Sequence, residues 1–233
     1  IAIVIILWFP TMVVMYAVTV PFDKGRYAIG WWFRRLGVAM AKVNPYWRFR
    51  RTGLRVADPR RPYVVVSNHE SFADILLISH LPFEMKWLSK VEILGIPLIG
   101  WMMRMAGDIP IKRGFGPSAV EAMERCRASL RNRVSVIFFP EGTRSIDGNM
   151  LPFKDGAFRL AIEAGVPILP LAVAGTRTAL PKHDWRFNPA RAVVEVLPPV
   201  ETAGLTLEDL PQLKERVRAT IQAARDALRA QLA

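Results

Sequence analysis

The chain opens on 22 uncharged residues, Ile1 to Phe22, rich in isoleucine, valine, leucine, methionine and aromatics. As a helix this run extends about 33 Å, roughly the hydrocarbon thickness of a bilayer, so the pattern predicts a membrane segment rather than a core helix. It is too long for the apolar part of a cleaved signal, and Pro21-Phe22-Asp23-Lys24 offers no small-residue cleavage site. Pro10 is a candidate kink, and spanning and half-inserted geometries are both open. The chain begins at Ile1 rather than methionine, which leaves room for further apolar sequence ahead of it. Ile29, Trp32, Phe33, Leu36, Met40 and Val43 then recur at helical spacing, with Arg34, Arg35 and Lys42 elsewhere on the wheel, predicting a second, interfacial helix.

From residue 52 the pattern alternates. Strand-like runs cover Gly53 to Val56, Tyr63 to Ser67, Met85 to Ser89, Asp108 to Ile111, Val134 to Phe139, Ile168 to Ala174 and Ala192 to Leu197. Helical runs cover Asp74 to Ser79, Ile96 to Met105, Ser118 to Asn132 and Lys154 to Ala164, the last closed by Gly165. This alternation predicts an α/β architecture, a central sheet flanked by helices. A long helix from about Leu207, with Leu213, Val217, Ile221, Ala224, Leu228 and Leu232 on one stripe, packs back on that sheet; Thr206 and Asp209 resemble a capping box. The expected organisation is a membrane-anchoring pair of helices over residues 1–50 and one α/β domain over residues 51–233.

Charge sharpens the first part of this picture. The formal net charge is +12, and residues 23–61 alone hold 11 lysines and arginines against 2 acids. Trp31, Trp32, Phe33, Tyr46, Trp47 and Phe49 are interleaved with those cations, a mixture suited to the headgroup layer of an anionic bilayer. Nucleic acid is the other usual partner of a basic, aromatic stretch, but the adjoining uncharged segment favours membrane, and no nucleic-acid partner is expected. The basic bias places the body of the protein on the cytoplasmic face, as at a bacterial inner membrane. Cys126 is the only cysteine, which rules out an intrachain disulfide or a cysteine cluster for zinc.

The candidate chemistry sits at two strand ends. Tyr63-Val-Val-Val-Ser67 runs into Asn68-His69-Glu70-Ser71-Phe72-Ala73-Asp74, a potential general base with a carboxylate five positions on. Five residues along a regular helix turn about 500°, some 140° net, so His69 and Asp74 meet only if His69 precedes the helix. Ser71 as N-cap and Asp74 in the first turn would let the carboxylate fold back onto one ring nitrogen and leave the other free to take a proton. By residue types alone, such a pair is as often structural as catalytic. The second strand, Val134 to Phe139, empties into Pro140-Glu141-Gly142-Thr143-Arg144-Ser145, bringing a carboxylate, a glycine turn and a guanidinium.

Asn68-His69-x4-Asp74 followed by Phe139-Pro140-Glu141-Gly142-Thr143-Arg144-Ser145 resembles the glycerolipid acyltransferase family, most closely the 1-acyl-sn-glycerol-3-phosphate acyltransferases. Gly107-Asp-Ile-Pro-Ile-Lys-Arg113 is similar to the family's second motif and Val166-Pro167-Ile168-Leu169-Pro170 to its fourth, so four blocks fall in order between residue 62 and about 175. The resemblance implies an α/β fold with a mixed sheet and an N-terminal helical anchor. It also implies transfer of an acyl chain from acyl carrier protein or coenzyme A to a lysophosphatidic acid hydroxyl, with no cofactor beyond that thioester co-substrate. His69 and Asp74 would be catalytic. Arg144 resembles the family's phosphate-binding arginine within the Glu141, Gly142, Thr143, Arg144 block, with Glu141 holding Arg144 or neighbouring backbone, and Lys90 and Arg113 resemble further acceptor-site cations.

Other readings use the same residues. Ser71 is an alternative acyl-enzyme nucleophile, set against its capping role. A metal hydrolase built on His69, Glu70 and Asp74 lacks a second histidine at ligand spacing, since His80 and His183 stand alone, and no metal is expected. A noncatalytic membrane lipid-binding protein would explain the anchor but leave the His–Asp pair idle. A lyso-ornithine lipid or glycerol 3-phosphate are alternative acceptors. The apolar stretch Gly95 to Met103 either lines an acyl tunnel, faces the bilayer, or is plain core.

Overall fold

The computed structural model describes residues 1–112, 114–145, 148–180 and 186–232. Seven strands form one mixed sheet in the order β1-β7-β6-β2-β5-β3-β4. β1 (Trp47–Gly53) and β7 (Ala190–Val196) run parallel to each other. β7 is antiparallel to β6 (Ile168–Ala174), and from β6 onward β2 (Val64–Ser67), β5 (Ser135–Phe138), β3 (Met85–Lys90) and β4 (Ile109–Ile111) are all parallel. The parallel strands are apolar on both faces because both faces are covered: Val64 and Val66 enter one core, Val65 the other. α5 (Gly116–Arg131), α6 (Gly156–Ala164) and α7 (Leu210–Leu232) cover the first face, and α3 (Ala73–Ile78) the second. This geometry delivers the C-terminal ends of β2 and β5 side by side, with Val66 in register with Phe138, so the two candidate loops leave the sheet as neighbours.

The first strand is displaced from its expected position at Gly53 to Val56. Trp47-Arg48-Phe49-Arg50 is a period-two pattern, and the strand it makes stacks Trp47 on Phe49 at 5.2 Å, with Trp47 buried. Trp47 is therefore a sheet residue rather than a headgroup anchor.

α1 (Ala2–Thr19) runs unbroken through Pro10 and is long and apolar enough to cross a membrane. It does not stand alone. Met12 packs with Ile29 and Leu36 of α2 (Tyr27–Lys42) and with Met102 of α4 (Ile99–Ala106), while Trp8 stacks on Trp32 at 4.6 Å. Its opposite face, Ile3, Leu7, Val14 and Val18, is bare apolar surface.

α2 is fastened to the domain through charges that its wheel placed away from the apolar face. Arg34 is buried and donates to Glu84 (3.3 Å) and Asp108, and Lys86 Nζ donates to Glu84 (3.0 Å), Arg26 O (2.8 Å) and Ala106 O (2.7 Å). Arg35 donates to the carbonyls of Ser79 and Leu81. Gly30 admits this network: a Cβ there would lie 2.1 Å from Glu84 Oε1. Removing one partner leaves an uncompensated buried charge, so Arg34→Met should destabilise the fold by about 3–5 kcal/mol. Denaturant unfolding in detergent checks this, and a loss under about 1 kcal/mol would mean the network is replaceable by apolar packing.

Candidate active site

At the end of β2 the chain is pinned to its neighbour by a side chain that imitates backbone. Asn68 Nδ2 donates to Val173 O (2.9 Å) and its Oδ1 accepts from Val173 N–H (2.8 Å), so the amide continues the β2–β6 ladder one residue past the strand. His69 follows. Its Nδ1 lies 2.8 Å from Asp74 Oδ2, and its ring stacks on Phe139 at 4.0 Å. The same Asp74 oxygen accepts from the N–H groups of Glu70 (2.7 Å) and Ser71 (3.0 Å), while Thr176 Oγ1 donates to Oδ1. Asp74 is fully buried, and with its carboxylate acting only as acceptor the imidazole must donate from Nδ1. That assigns the tautomer: Nε2 carries the lone pair, and it makes no hydrogen bond among the described residues.

The local fold explains the return of Asp74. Ser71 Oγ accepts from Ala73 N–H (3.3 Å) while Asp74 accepts from Ser71 N–H, a reciprocal pair of bonds across the turn that leads into α3; the N-cap position itself is Phe72, one residue later than the expected Ser71, and Asp74 lies in the first turn near the helix's positive end. Ser71 Oγ also donates to Leu180 O (2.9 Å) and the residue is wholly buried, so its hydroxyl is structurally committed and not presented as a nucleophile.

The second loop reaches the first through Glu141. Its Oε1 accepts from His69 N–H (2.8 Å) and its Oε2 from Leu151 N–H (2.8 Å), and burial pushes its carboxyl above the usual range. Glu141 thus holds backbone rather than Arg144. Gly142 sits at φ 73°, a conformation that favours glycine, and its N–H closes a turn onto Phe139 O (3.0 Å). Thr143 is exposed and Arg144 partly so; Arg144 has no hydrogen-bond or ion-pair partner among the described residues. The N–H groups of Glu70, Ser71 and Gly142 are already engaged, and those of Thr143 and Arg144 have no partner among the described residues.

Lys90 ends β3 on the same edge of the sheet, exposed, with β5 between it and the His69 strand. Arg113 and His183 lie outside the described residues. His80 Nδ1 donates to Leu76 O (2.9 Å) and burial lowers its pKa, a structural histidine. Cys126 is buried in α5, its thiol pushed up to about 12 by burial. Among the described residues no group of three or more histidine, cysteine, aspartate or glutamate side chains is arranged to hold a metal ion.

An apolar cavity lies against α3, lined by Phe72 and Ile75 but not by His69 or Asp74 themselves. Phe33, Leu36, Gly37, Met40, Ile75 and Met103 are among its walls. Trp87 also lines it, with its ring centroid 5.9 Å from that of Phe139, which in turn stacks on His69. The stretch Gly95 to Met103 divides: Ile99 and Met103 line the cavity, Met102 enters the α1–α2 core, and Trp101 is exposed.

Residues 48–174, which run from β1 to the end of β6 and hold His69, Asp74, Glu141 and Arg144, match the family model described as Acyltransferase. The chain belongs to the acyltransferase family. This acyltransferase chain is 36% identical over 200 residues to a 1-acyl-sn-glycerol-3-phosphate acyltransferase of Chlamydomonas reinhardtii, covering 84% of the chain and 60% of that protein. It is 43% identical over 162 residues to the human 1-acyl-sn-glycerol-3-phosphate acyltransferase alpha, covering 69% and 57%. The chain thus spans three fifths or less of these relatives' length. Among solved structures it superposes on the 1-acyl-sn-glycerophosphate (LPA) acyltransferase PlsC of Thermotoga maritima with a TM-score of 0.73 and 26% identity, covering 97% of this chain and 95% of that one. The mixed seven-stranded sheet with its flanking helices is the acyltransferase fold.

Sequence reasoning does not find Thr176, 102 positions from the Asp74 it bonds, nor Phe139's place under the imidazole. Thr176 follows Gly175 at the end of β6, and only a sheet order that sets β6 beside β2 marks it as a neighbour of the site.

Proposed function

We propose that this acyltransferase moves a fatty acyl chain from a thioester, on acyl carrier protein or coenzyme A, to the sn-2 hydroxyl of 1-acylglycerol 3-phosphate, giving phosphatidic acid. The observation that carries the reading is the buried Asp74 fixing His69 with Nε2 open at the strand end. A glycerol hydroxyl is a poor nucleophile at neutral pH, so Nε2 takes its proton as the oxygen attacks the thioester carbonyl. Asp74 orients the ring and stabilises the imidazolium. The tetrahedral adduct then expels the thiolate, which receives the proton from Nε2. No covalent enzyme intermediate is needed, because the thioester is already activated. The Thr143 and Arg144 amides, unengaged among the described residues, are candidate donors for the oxyanion, and the Arg144 guanidinium, without a partner among the described residues, suits the acceptor's phosphate. The bare apolar face of α1 and the cations that follow it suit an anionic bilayer, where a lysophosphatidic acid acceptor resides.

The test is purified protein with a labelled acyl donor and a panel of lyso-lipids, with His69→Ala alongside. Acylation of a lyso-ornithine lipid or glycerol 3-phosphate in preference to lysophosphatidate would replace the acceptor named here. The apolar cavity adds a chain-length expectation. Ile75→Trp fills part of it, so long-chain donors should lose about tenfold in kcat/KM relative to short ones, the equivalent of two excluded methylenes at about 0.8 kcal/mol each. A chain-length profile parallel to wild type would place the acyl chain elsewhere.

A further inference from the structure

One helix, far along the chain, touches both motif loops. Lys214, Arg218, Arg225 and Arg229 of α7 fall on one stripe beside the apolar stripe of Leu213, Val217, Ile221 and Leu228. All four end on the segment that follows the Arg144 turn. Lys214 Nζ binds Asp155 Oδ1 (2.8 Å), Arg218 Nη2 donates to Met150 O (3.3 Å), and Arg225 Nη1 and Arg229 Nη2 donate to Gly148 O (3.3 and 3.0 Å). Arg229 Nη2 also donates to Glu70 Oε1 at 2.6 Å. A single nitrogen therefore bridges the loop after Ser145 and the residue next to His69.

The Glu70 contact is the informative one. Glu70 has a side chain only 6% exposed. Its carboxyl is pushed up by burial and by Asp74, and Arg229 opposes that push. An acid in such a place is costly unless a cation meets it. Glu70 N–H in turn donates to the Asp74 oxygen that holds His69, so movement of Glu70 is movement of the pair. Among the described residues Arg225 hydrogen-bonds Gly148 O and Asp226 and makes no hydrogen bond to Glu70, although its charge, like that of Arg229, opposes the upward push on the Glu70 carboxyl.

We infer that Arg229 is a positioning residue that locks the His69 loop and the Arg144 loop in register through hydrogen bonds to both, while Arg225, hydrogen-bonded to Gly148 and not to Glu70, secures mainly the Arg144 loop. The inference rests on the proposed roles of His69 and Arg144, and it makes a division of labour that a merely structural salt bridge would not. Glu70→Gln should lower kcat about three- to tenfold with acceptor KM nearly unchanged, because it disturbs only the His69 side. Arg225→Gln should act mainly on the lysophosphatidate KM, raising it by a similar factor. Arg229→Gln should do both, and adding Glu70→Gln to it should lower kcat no further. Arg229→Lys, which keeps the cation, should recover part of the kcat.

The measurement is steady-state kinetics of the full chain in mixed micelles of detergent and lysophosphatidate, with His69→Ala and thermal unfolding in parallel. If all these variants lose kcat in common proportion with KM unmoved, they merely reduce the folded fraction and the inference is overturned. Wild-type kcat and KM in Arg229→Gln overturn it as well. If Arg229→Gln does not fold, Glu70→Gln and Arg225→Gln decide: the same parameter moving in both defeats the division. An active His69→Ala would instead defeat the proposed function, whereas an inactive His69→Ala beside an unaffected Arg229→Gln defeats only the lock.

Discussion

Replacing His69 by alanine should lower turnover by about two to four orders of magnitude while leaving the unfolding transition and membrane association in place. The imidazole stacks on Phe139 at a strand end, outside the hydrophobic core clusters, and its hydrogen bond is to a carboxylate that keeps three other donors. Loss of the ring therefore removes the base without emptying the core. Asp74→Asn should damage turnover nearly as much, since an amide can present N–H where the ring needs an acceptor. It should also destabilise, because Thr176 and the Glu70 and Ser71 amides converge on a group that has lost one acceptor oxygen. Single-turnover rates with calorimetry separate these effects. Wild-type turnover in clean His69→Ala protein would sink the general-base mechanism.

Arg144→Ala should raise the lysophosphatidate KM about ten- to a hundredfold, the equivalent of a charge-assisted contact of roughly 1.5–3 kcal/mol. The structure strengthens this expectation, because Glu141 spends both oxygens on the His69 and Leu151 amides and leaves the guanidinium uncommitted. Donor KM should hardly move. Arg144→Lys should recover only part of the loss, since it keeps the charge without the planar fork. A lyso-lipid without phosphate is the control: if Arg144→Ala weakens both acceptors equally, phosphate recognition lies with Lys90 or Arg113.

The parts of this arrangement that can be read from sequence are the local ones. The end of β2, the cap that turns Asp74 back on His69, and the apolar run of α1 each depend on residues a few positions apart, where helix and strand periods act directly. What escapes is set by sheet order and by distant charges. Arg34 reads as a wheel position off the apolar face, and only the approach of Glu84 and Asp108 makes it a buried ion. Trp47 and Phe49 read as interfacial aromatics because their alternation with arginine satisfies both a headgroup pattern and an edge strand. Arg229 carries no local signal, because 159 positions separate it from Glu70.

The lateral packing of α1 against α2 and α4 has a consequence for how such a protein would meet its substrates. A helix on a flexible tether would let the site wander above the bilayer, whereas one bolted along the domain, with α2 bound in turn through Arg34, sets the strand ends at one fixed height once its bare face is in lipid. Encounter then becomes a search within a plane. The quantity that governs rate is the mole fraction of acceptor among its neighbouring lipids, and diluting it with inert lipid slows the reaction even where its amount per volume of solution is unchanged.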